Sequence, residues 1–391
     1  MSVNFTFNNG GNTADFDDAF IRKDLFTQGG LWVWGQGVQG QLGDNTLASK
    51  SSPVQTVAGG TNWKQVSGGR FHTAAIKTDG TLWLWGASNY GQLGNNGVTS
   101  RSSPVQTISG GSNWKTVGRA YGSHVHAIKT DGTLWLWGYN NYGQLGDGSS
   151  ITHRSSPIQT VAGGTNWKEV SGGWIHTAAI KTDGTLWLWG YNYDGQLGDN
   201  TTATKSSPVQ IIGGGTNWKL VSCGHYHNAA IKTDGTLWTW GQNGFGQLGN
   251  GVDITNRSSP GQTVSGGTNW KQMSAGSGHM VAIKTDGTLW TWGRNNFGQL
   301  GNNTVTHGSS PVQTVAGGTN WKGVGGGQQI SSAIKTDGTL WLWGQGVSGQ
   351  LGDNTLASKS SPVQTVAGGT NWKQALSYGE GSTGGIREDF Y

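Results

Sequence analysis

Cysteine is almost absent from this chain: Cys223 is alone among 391 residues. No disulfide can therefore form within it, and Cys223 stands where sibling segments carry Gly68 and Gly172, which marks a small buried position. Charge is scarce as well, at 12% of residues, and the formal net charge of +5 comes without any basic run. The first 24 residues set Asp15, Asp17, Asp18 and Asp24 against Arg22 and Lys23. An electrostatic grip on nucleic acid is therefore unsupported, and no nucleic-acid partner is expected. No long apolar run exists, which argues against membrane insertion, and Met1 to Phe5 lack a basic n-region and an apolar h-region. Synthesis in the cytoplasm without Sec export is expected, with another route to a surface left open. Also missing are Gly-x-Ser-x-Gly, His-Glu-x-x-His and a Gly-Lys phosphate loop. No enzyme and no cofactor are expected, because catalysis needs such convergent groups.

What the chain does have is tryptophan, 22 of them, and 71 glycines. Tandem pairs fall at Trp32/Trp34, Trp83/Trp85, Trp135/Trp137, Trp187/Trp189, Trp238/Trp240, Trp290/Trp292 and Trp341/Trp343, spaced by 51 or 52 residues. After each pair come Gly-Gln-Leu-Gly, Ser-Ser-Pro and Asn-Trp-Lys, so the period is one structural module in seven copies. Lys77 to Gly86 (Lys-Thr-Asp-Gly-Thr-Leu-Trp-Leu-Trp-Gly) reads as a hairpin with Asp79-Gly80 as a two-residue connection. In a strand, Leu82 and Leu84 face one side and Trp83 and Trp85 the other. An apolar run of this kind implies burial on both faces.

Each module supplies four strands, in the first complete set around Trp63 to Ser67, Thr73 to Thr78, Thr81 to Trp85, and near Val105 to Thr107. The chain enters this pattern mid-phase, with Ala19 to Asp24 resembling Ala74 to Asp79, and leaves it mid-phase after Trp372 to Ser377 and Gly385 to Asp389. The two ends can complete one sheet together. Trp34 to Gln65 and Trp343 to Gln374 differ only at Gln39 versus Ser348, so the end modules sit in equivalent environments, unlike the capped ends of an open solenoid. The expected fold is all-β: a seven-bladed β-propeller of four-stranded antiparallel blades over residues 19–391, its ring closed by both termini. Residues 1–18 form an arm outside the repeat, with Val3, Phe5 and Phe7 alternating against polar neighbours. The arm is expected either to tuck along the fold or to serve an anchoring partner or self-association.

Gly-Gln-Leu-Gly after Trp-x-Trp-Gly, together with His72-Thr73-Ala74-Ala75-Ile76 running into Asp79-Gly80, resembles the repeat of the regulator-of-chromosome-condensation propeller family, over roughly residues 19 to 389. The resemblance implies a seven-bladed fold closed by both termini. It also implies binding functions that range from guanine-nucleotide exchange on a small GTPase to inhibition of secreted enzymes. The family's exchange factor inserts an extra hairpin from one blade, whereas no interval here exceeds 52 residues. The basic tail of that family is replaced by an acidic one.

His72, His124, His176, His227 and His279 each stand four residues before a module Ile. One His per blade has no second ligand at fixed spacing, so these are expected to be hydrogen-bonding blade residues and no metal is expected. Variation between siblings is concentrated in two slots. The slot between first and second strands carries Arg70-Phe71, Arg119 to Gly122 with Tyr121, Trp174-Ile175, His225-Tyr226, Ser277-Gly278 and Gln328-Gln329. The slot after each Trp-Gly carries Gln36 to Gln39, Ala87 to Tyr90, Tyr139 to Tyr142, Tyr191 to Asp194, Gln242 to Phe245, Arg294 to Phe297 and Gln345 to Ser348. In a propeller both slots emerge on one face. Twenty-one of the 22 tryptophans belong to the lattice, and the remaining one, Trp174, sits in the first slot. Binding of a protein or glycan is therefore expected through Arg70, Phe71, Arg119, Tyr121, Trp174, His225, Tyr226, Gln328, Tyr90, Tyr142, Phe245, Arg294 and Phe297, since exposed aromatics and arginine supply contact area with few rotatable bonds. The near-identical modules suggest a bacterial or phage setting, as a virion or cell-surface component. The alternatives are a GTPase exchange regulator and a protein inhibitor of an enzyme.

Overall fold

The computed structural model describes residues 29–251, 253–378 and 381–388. Among the described residues, twenty-eight strands form seven four-stranded antiparallel sheets. In blade one the strands are Trp63–Gly68, His72–Lys77, Leu82–Gly86 and Arg101–Gln106, paired in that order. Blades two to six repeat this over 114–159, 167–210, 218–262, 270–313 and 321–364. First strands line the axial tunnel, which is about 120 Å³ in volume and takes residues such as Gln65, Val117, Glu169, Ser222, Gln272 and Gln374 into its wall. Pro104 lies in the outermost strand, where the missing N–H interrupts no inner ladder.

Blade seven is built from both ends. Trp372–Tyr378 is innermost, Ser382–Arg387 second, Gly30–Gly35 third and Lys50–Gln55 outermost, with Leu31 opposite Ile386 and Trp34 opposite Thr383. The ring therefore closes through a non-covalent sheet between the termini, and the seventh blade has the same four strands as the others. The second strand is contributed by the C-terminal segment, in which Ile386 takes the place of Ile76 and Arg387 that of Lys77. The expected module start at Ala19 to Asp24, and the arm of residues 1–18, lie outside the described residues.

The alternating faces read from Leu82 to Trp85 sort the core. Leu82 and Leu84 pack with Trp114, Val117 and Trp137 of blade two, whereas Trp85 packs with Leu31, Val33 and Leu42 of blade seven. The third strand therefore buries two apolar sides in two different inter-blade layers, at about 1.5–3 kcal/mol per large side chain removed from water. The first tryptophan of each pair is only half-buried, and the hairpin lysine covers it: Lys77 Nζ lies 4.9 Å from the rings of both Trp63 and Trp83. Lys129, Lys181, Lys232, Lys284 and Lys335 repeat the contact, and Arg387 makes it on Trp32 and Trp372.

The hairpin differs from the two-residue connection expected of Asp79-Gly80. Lys77 N–H donates to Thr81 O at 3.0 Å, so three residues, Thr78 to Gly80, span the turn. Asp79 Oδ1 accepts both Thr81 N–H, at 2.9 Å, and Thr81 Oγ1, at 2.6 Å, while Gly80 adopts φ +79°. The extra residue has a physical use: Gly80 O accepts Trp114 N–H of the next blade at 3.0 Å, and a Cβ on Gly80 would come 2.2 Å from Ser112 O. The turn is a blade-to-blade contact as well as a reversal.

Candidate functional site

The constant residues form a latch that fixes the variable ones. Gln41 O, in the Gly-Gln-Leu-Gly loop of blade seven, accepts the indole N–H of Trp85 at 2.9 Å and the hydroxyl of Thr73 at 2.7 Å, both from blade one. The same carbonyl position takes the second tryptophan of the following blade around the whole ring, at 2.8 to 3.0 Å. The closing Gly43, at φ +66°, lies against that indole, and a Cβ there would stand 2.6 Å from Trp85 Nε1. The glutamine side chain works in the other direction. Gln92 Oε1 accepts Tyr90 N–H, Gln144 Oε1 accepts Tyr142 N–H, and the bond recurs for Asp194, Phe245 and Phe297. An invariant side chain thus pins the backbone of the variable residue two positions earlier, and binding loops gain from such rigid support.

Three of the blade histidines hydrogen-bond within the same lattice, whereas neither ring nitrogen of His227 has a hydrogen-bond partner among the described residues, against the expectation, because Met280 stands where the other blades present Thr177, Asn228 or Ser331. His176 Nε2 is 2.9 Å from Asn228 Oδ1, His279 Nε2 is 2.9 Å from Ser331 Oγ, and His124 Nε2 is 3.2 Å from Thr177 Oγ1, each pair bridging neighbouring blades. Burial lowers the imidazole pKa to about 4 for His72 and His176 and to about 3 for His227 and His279. All are neutral at physiological pH. Among the described residues no group of three His, Cys, Asp or Glu is arranged to hold a metal ion. Burial also raises the Cys223 thiol to about 12, which leaves it inert as a nucleophile.

The two variable slots do meet on one face. Tyr191, after the third strand of blade three, lies 5.8 Å from Tyr226, which follows the first strand of blade four. From there ring contacts run without a break: Tyr191 to Tyr142 at 5.2 Å and to Tyr193 at 4.7 Å, Tyr226 to His225 at 6.1 Å, and His225 to Trp174 at 4.6 Å. The Arg70 guanidinium then spans Trp174, at 4.6 Å, and Phe71, at 4.9 Å. Seven of these residues, Arg70, Phe71, Tyr142, Trp174, Tyr191, His225 and Tyr226, are partly exposed, and Tyr193 is exposed by two-thirds. Flanking this surface, Tyr90 and Tyr139 pack on His153, and Arg294 and His307 pack on Phe245. Phe297 is carried by the next loop round the ring.

Three expected site residues are placed differently. Tyr121 is buried, and its hydroxyl donates across the ring to Ala275 O at 2.7 Å, or to Gly326 O at 2.8 Å. Arg119 reaches the same rim, with Nη1 on Ser274 Oγ at 3.0 Å, Nη2 on Ala275 O at 2.6 Å, and a contact to Tyr121. The pair fills the tunnel mouth and braces blade two against blades five and six, so Tyr121 offers no ring to a partner and supports His225 from beneath at 5.0 Å. Withdrawal from water lowers the Arg119 pKa to about 9, still a cation at neutral pH. Gln328 lies on blade six, away from the aromatic run, with its carbonyl accepting Ser277 Oγ. His225, held between Trp174 and Tyr121, has its pKa lowered to about 3, by burial first and then by neighbouring His227 and arginines.

Sequence reasoning passed over His153, His307 and Asn256. They occupy the position of Ser49, Ser100 and Ser358 in sister blades, and all six accept the backbone N–H at the start of the preceding loop. The signal was a ring or amide standing where the siblings have serine.

These residues build a closed seven-bladed β-propeller in which the invariant positions make the lattice and the variable ones crowd one face. A family model of the RCC1-like domain matches residues 119–389, and models of the regulator of chromosome condensation (RCC1) repeat match residues 28–76, 79–127 and 63–92. The chain belongs to the RCC1 repeat family. It is 32% identical to the ultraviolet-B receptor of Arabidopsis thaliana over 338 residues, 84% of this chain and 76% of the relative. It is 27% identical to the mitochondrial RCC1 domain-containing protein RUG3 of the same plant, over 85% of this chain and 82% of that one. Among solved structures, Prp20p of Saccharomyces cerevisiae superposes with a TM-score of 0.82 at 18% identity, covering 93% of this chain and 92% of the other. These relatives come from a plant and a yeast and lend no support to the expected bacterial or phage setting.

Proposed function

We propose that this propeller is a non-enzymatic recognition module that docks a protein partner on the face formed by the loops after first and third strands, centred on Trp174, His225, Tyr226 and Tyr191. The observation that carries the reading is the unbroken aromatic run across blades one to four, built from residues that vary between otherwise near-identical modules and held by invariant glutamines. Aromatic and arginine side chains on a preorganised surface are what interface hot spots use. The yeast relative was studied for its binding to Gsp1p and histones and was seen bound to Kap60, which fits a family whose members recognise proteins. The glycan reading and the virion or cell-surface setting have no such support. Exchange activity on a GTPase and enzyme inhibition rest on the shared fold alone.

The test is site-directed cross-linking in extract of the native source. A photo-reactive residue placed at Tyr193 should capture a discrete protein, and one placed at Val161, on the opposite face, should not. Capture from Val161 alone, or only through residues 1–18, would refute the assignment.

A further inference from the structure

On blade three, Asp194 holds the position that carries Tyr90, Tyr142, Phe245 and Phe297 on sister blades. Its backbone N–H is pinned to Gln196 Oε1 at 2.9 Å, and its Oδ1 accepts Asn256 Nδ2, from blade four, at 2.8 Å. Asn256 is itself fixed, since its Oδ1 accepts Asn243 N–H at 2.9 Å. The carboxylate therefore has a set orientation. Four tyrosines from three blades pack together around its loop: Tyr142, Tyr191, Tyr193 and Tyr226, with Tyr191 touching the other three. Burial raises the Asp194 pKa against the opposing bond from Asn256, and burial followed by the Asp194 charge raises the Tyr191 and Tyr226 phenols. Among the described residues no cation compensates this carboxylate. A half-buried anion beside several π faces is an incomplete arrangement, because each component attracts the same kind of group.

We propose that the Asp194 pocket, walled by Tyr142, Tyr191, Tyr193 and Tyr226, takes the ammonium head of a lysine side chain, protonated or methylated, presented by the docked protein. The proposal rests on the recognition reading above and specifies one contact within it. Asn256 already bonds Oδ1, so Oδ2 is the oxygen of the carboxylate left without a hydrogen bond among the described residues. That suits the point charge of an ammonium better than the two-pronged fork of a guanidinium. Tyrosine rings supply the remaining wall by cation–π attraction, which does not require the ammonium to donate hydrogen bonds and so tolerates methylation.

The probe is a capped pentapeptide with a central trimethyllysine, titrated calorimetrically into the full chain beside the unmodified lysine peptide, the neutral carbon isostere of trimethyllysine, and choline. Both cationic peptides should bind, and the isostere should bind at least about tenfold more weakly, as loss of a desolvated cation–π and charge contact implies. Asp194→Asn, which keeps shape and the Asn256 contact, should weaken the cationic peptides by about tenfold or more at an unchanged melting temperature. Tyr193→Ala, at a largely exposed ring, provides a second variant should Asp194→Asn fold poorly. Equal binding of the isostere, no binding of either cationic peptide, or unchanged binding by both variants overturns the proposal. Choline binding as tightly as the peptides overturns the assignment to lysine and transfers the site to a small ammonium ligand. If the cross-linked partner is lost with Trp174→Ala and kept with Asp194→Asn, the lysine contact fails while the recognition face stands.

Discussion

At the scale of single residues, the buried histidines make an acid-sensitive lattice. His72, His124, His176, His227 and His279 all have imidazoles whose pKa burial has lowered from 6.5, to about 4 or 3 where the value is resolved and well below 6.5 for His124. Below pH 6.5 the unfolded chain binds protons that the folded chain refuses, so stability is complete above that pH and falls as pH drops towards about 4. Each histidine held neutral in the fold steepens that fall, and all five act in the same direction. Against a typical total of about 5–15 kcal/mol, this predicts a marked loss of stability between pH 6.5 and about pH 5. Urea midpoints measured from pH 7.5 to 5 should fall steeply, and a flat profile would show that the imidazoles are not held neutral. The latch glycine gives a second residue-level expectation. Gly43→Ala places a methyl group against the Trp85 indole at a left-handed φ, and should cost about 2 kcal/mol or more by the denaturation midpoint. The histidines were legible as lattice residues from their fixed place before the module Ile. Their partners on the next blade were not, because a residue about 50 positions away carries no local signal.

At the scale of elements, the hairpins and the outward slots separate cleanly in what they support. Asp79 and Gly80 close the turn and meet the neighbouring blade, whereas Arg70 and Phe71 lie half-exposed on the loop face. Asp79→Ala with Gly80→Ala should therefore lower the melting temperature more than Arg70→Ala with Phe71→Ala. Equal losses by calorimetry would contradict this division. Strand existence and order were readable from period-two alternation and turn residues, since both are local. The length of the turn was not, because the extra residue answers to Trp114 and Ser112 of the next blade. The second strand of blade seven was likewise visible in Ile386 and Arg387, which match Ile76 and Lys77, although the segment before Trp32 drew the comparison instead.

At the scale of the whole molecule, closure and the loop face are the two consequences of one repeat. Removing residues 372–388 would delete two strands of blade seven, bare the edge of Gly30–Gly35 that pairs with Ser382–Arg387, and strip blades one and six of the face they pack against. Size-exclusion chromatography should then show aggregation, and an intact monomer with unaltered melting would refute closure. Seven-fold closure was legible from the half-modules at each end. The tunnel plug of Arg119 and Tyr121 was not, since it joins residues more than 150 positions apart and only the closed ring brings them together. That plug also explains why composition alone overcounts binding residues: an aromatic in a variable slot can point into the ring as well as out of it. The central claim is that the outward aromatics of blades one to four are a recognition surface. The direct measurement is the affinity of the captured partner for wild-type protein and for Trp174→Ala, with melting temperatures shown to match. Truncation of this anchor should cost about 2 kcal/mol or more, roughly a thirtyfold rise in Kd. A Kd within about twofold of wild type for Trp174→Ala, and likewise for Tyr226→Ala, would contradict the account.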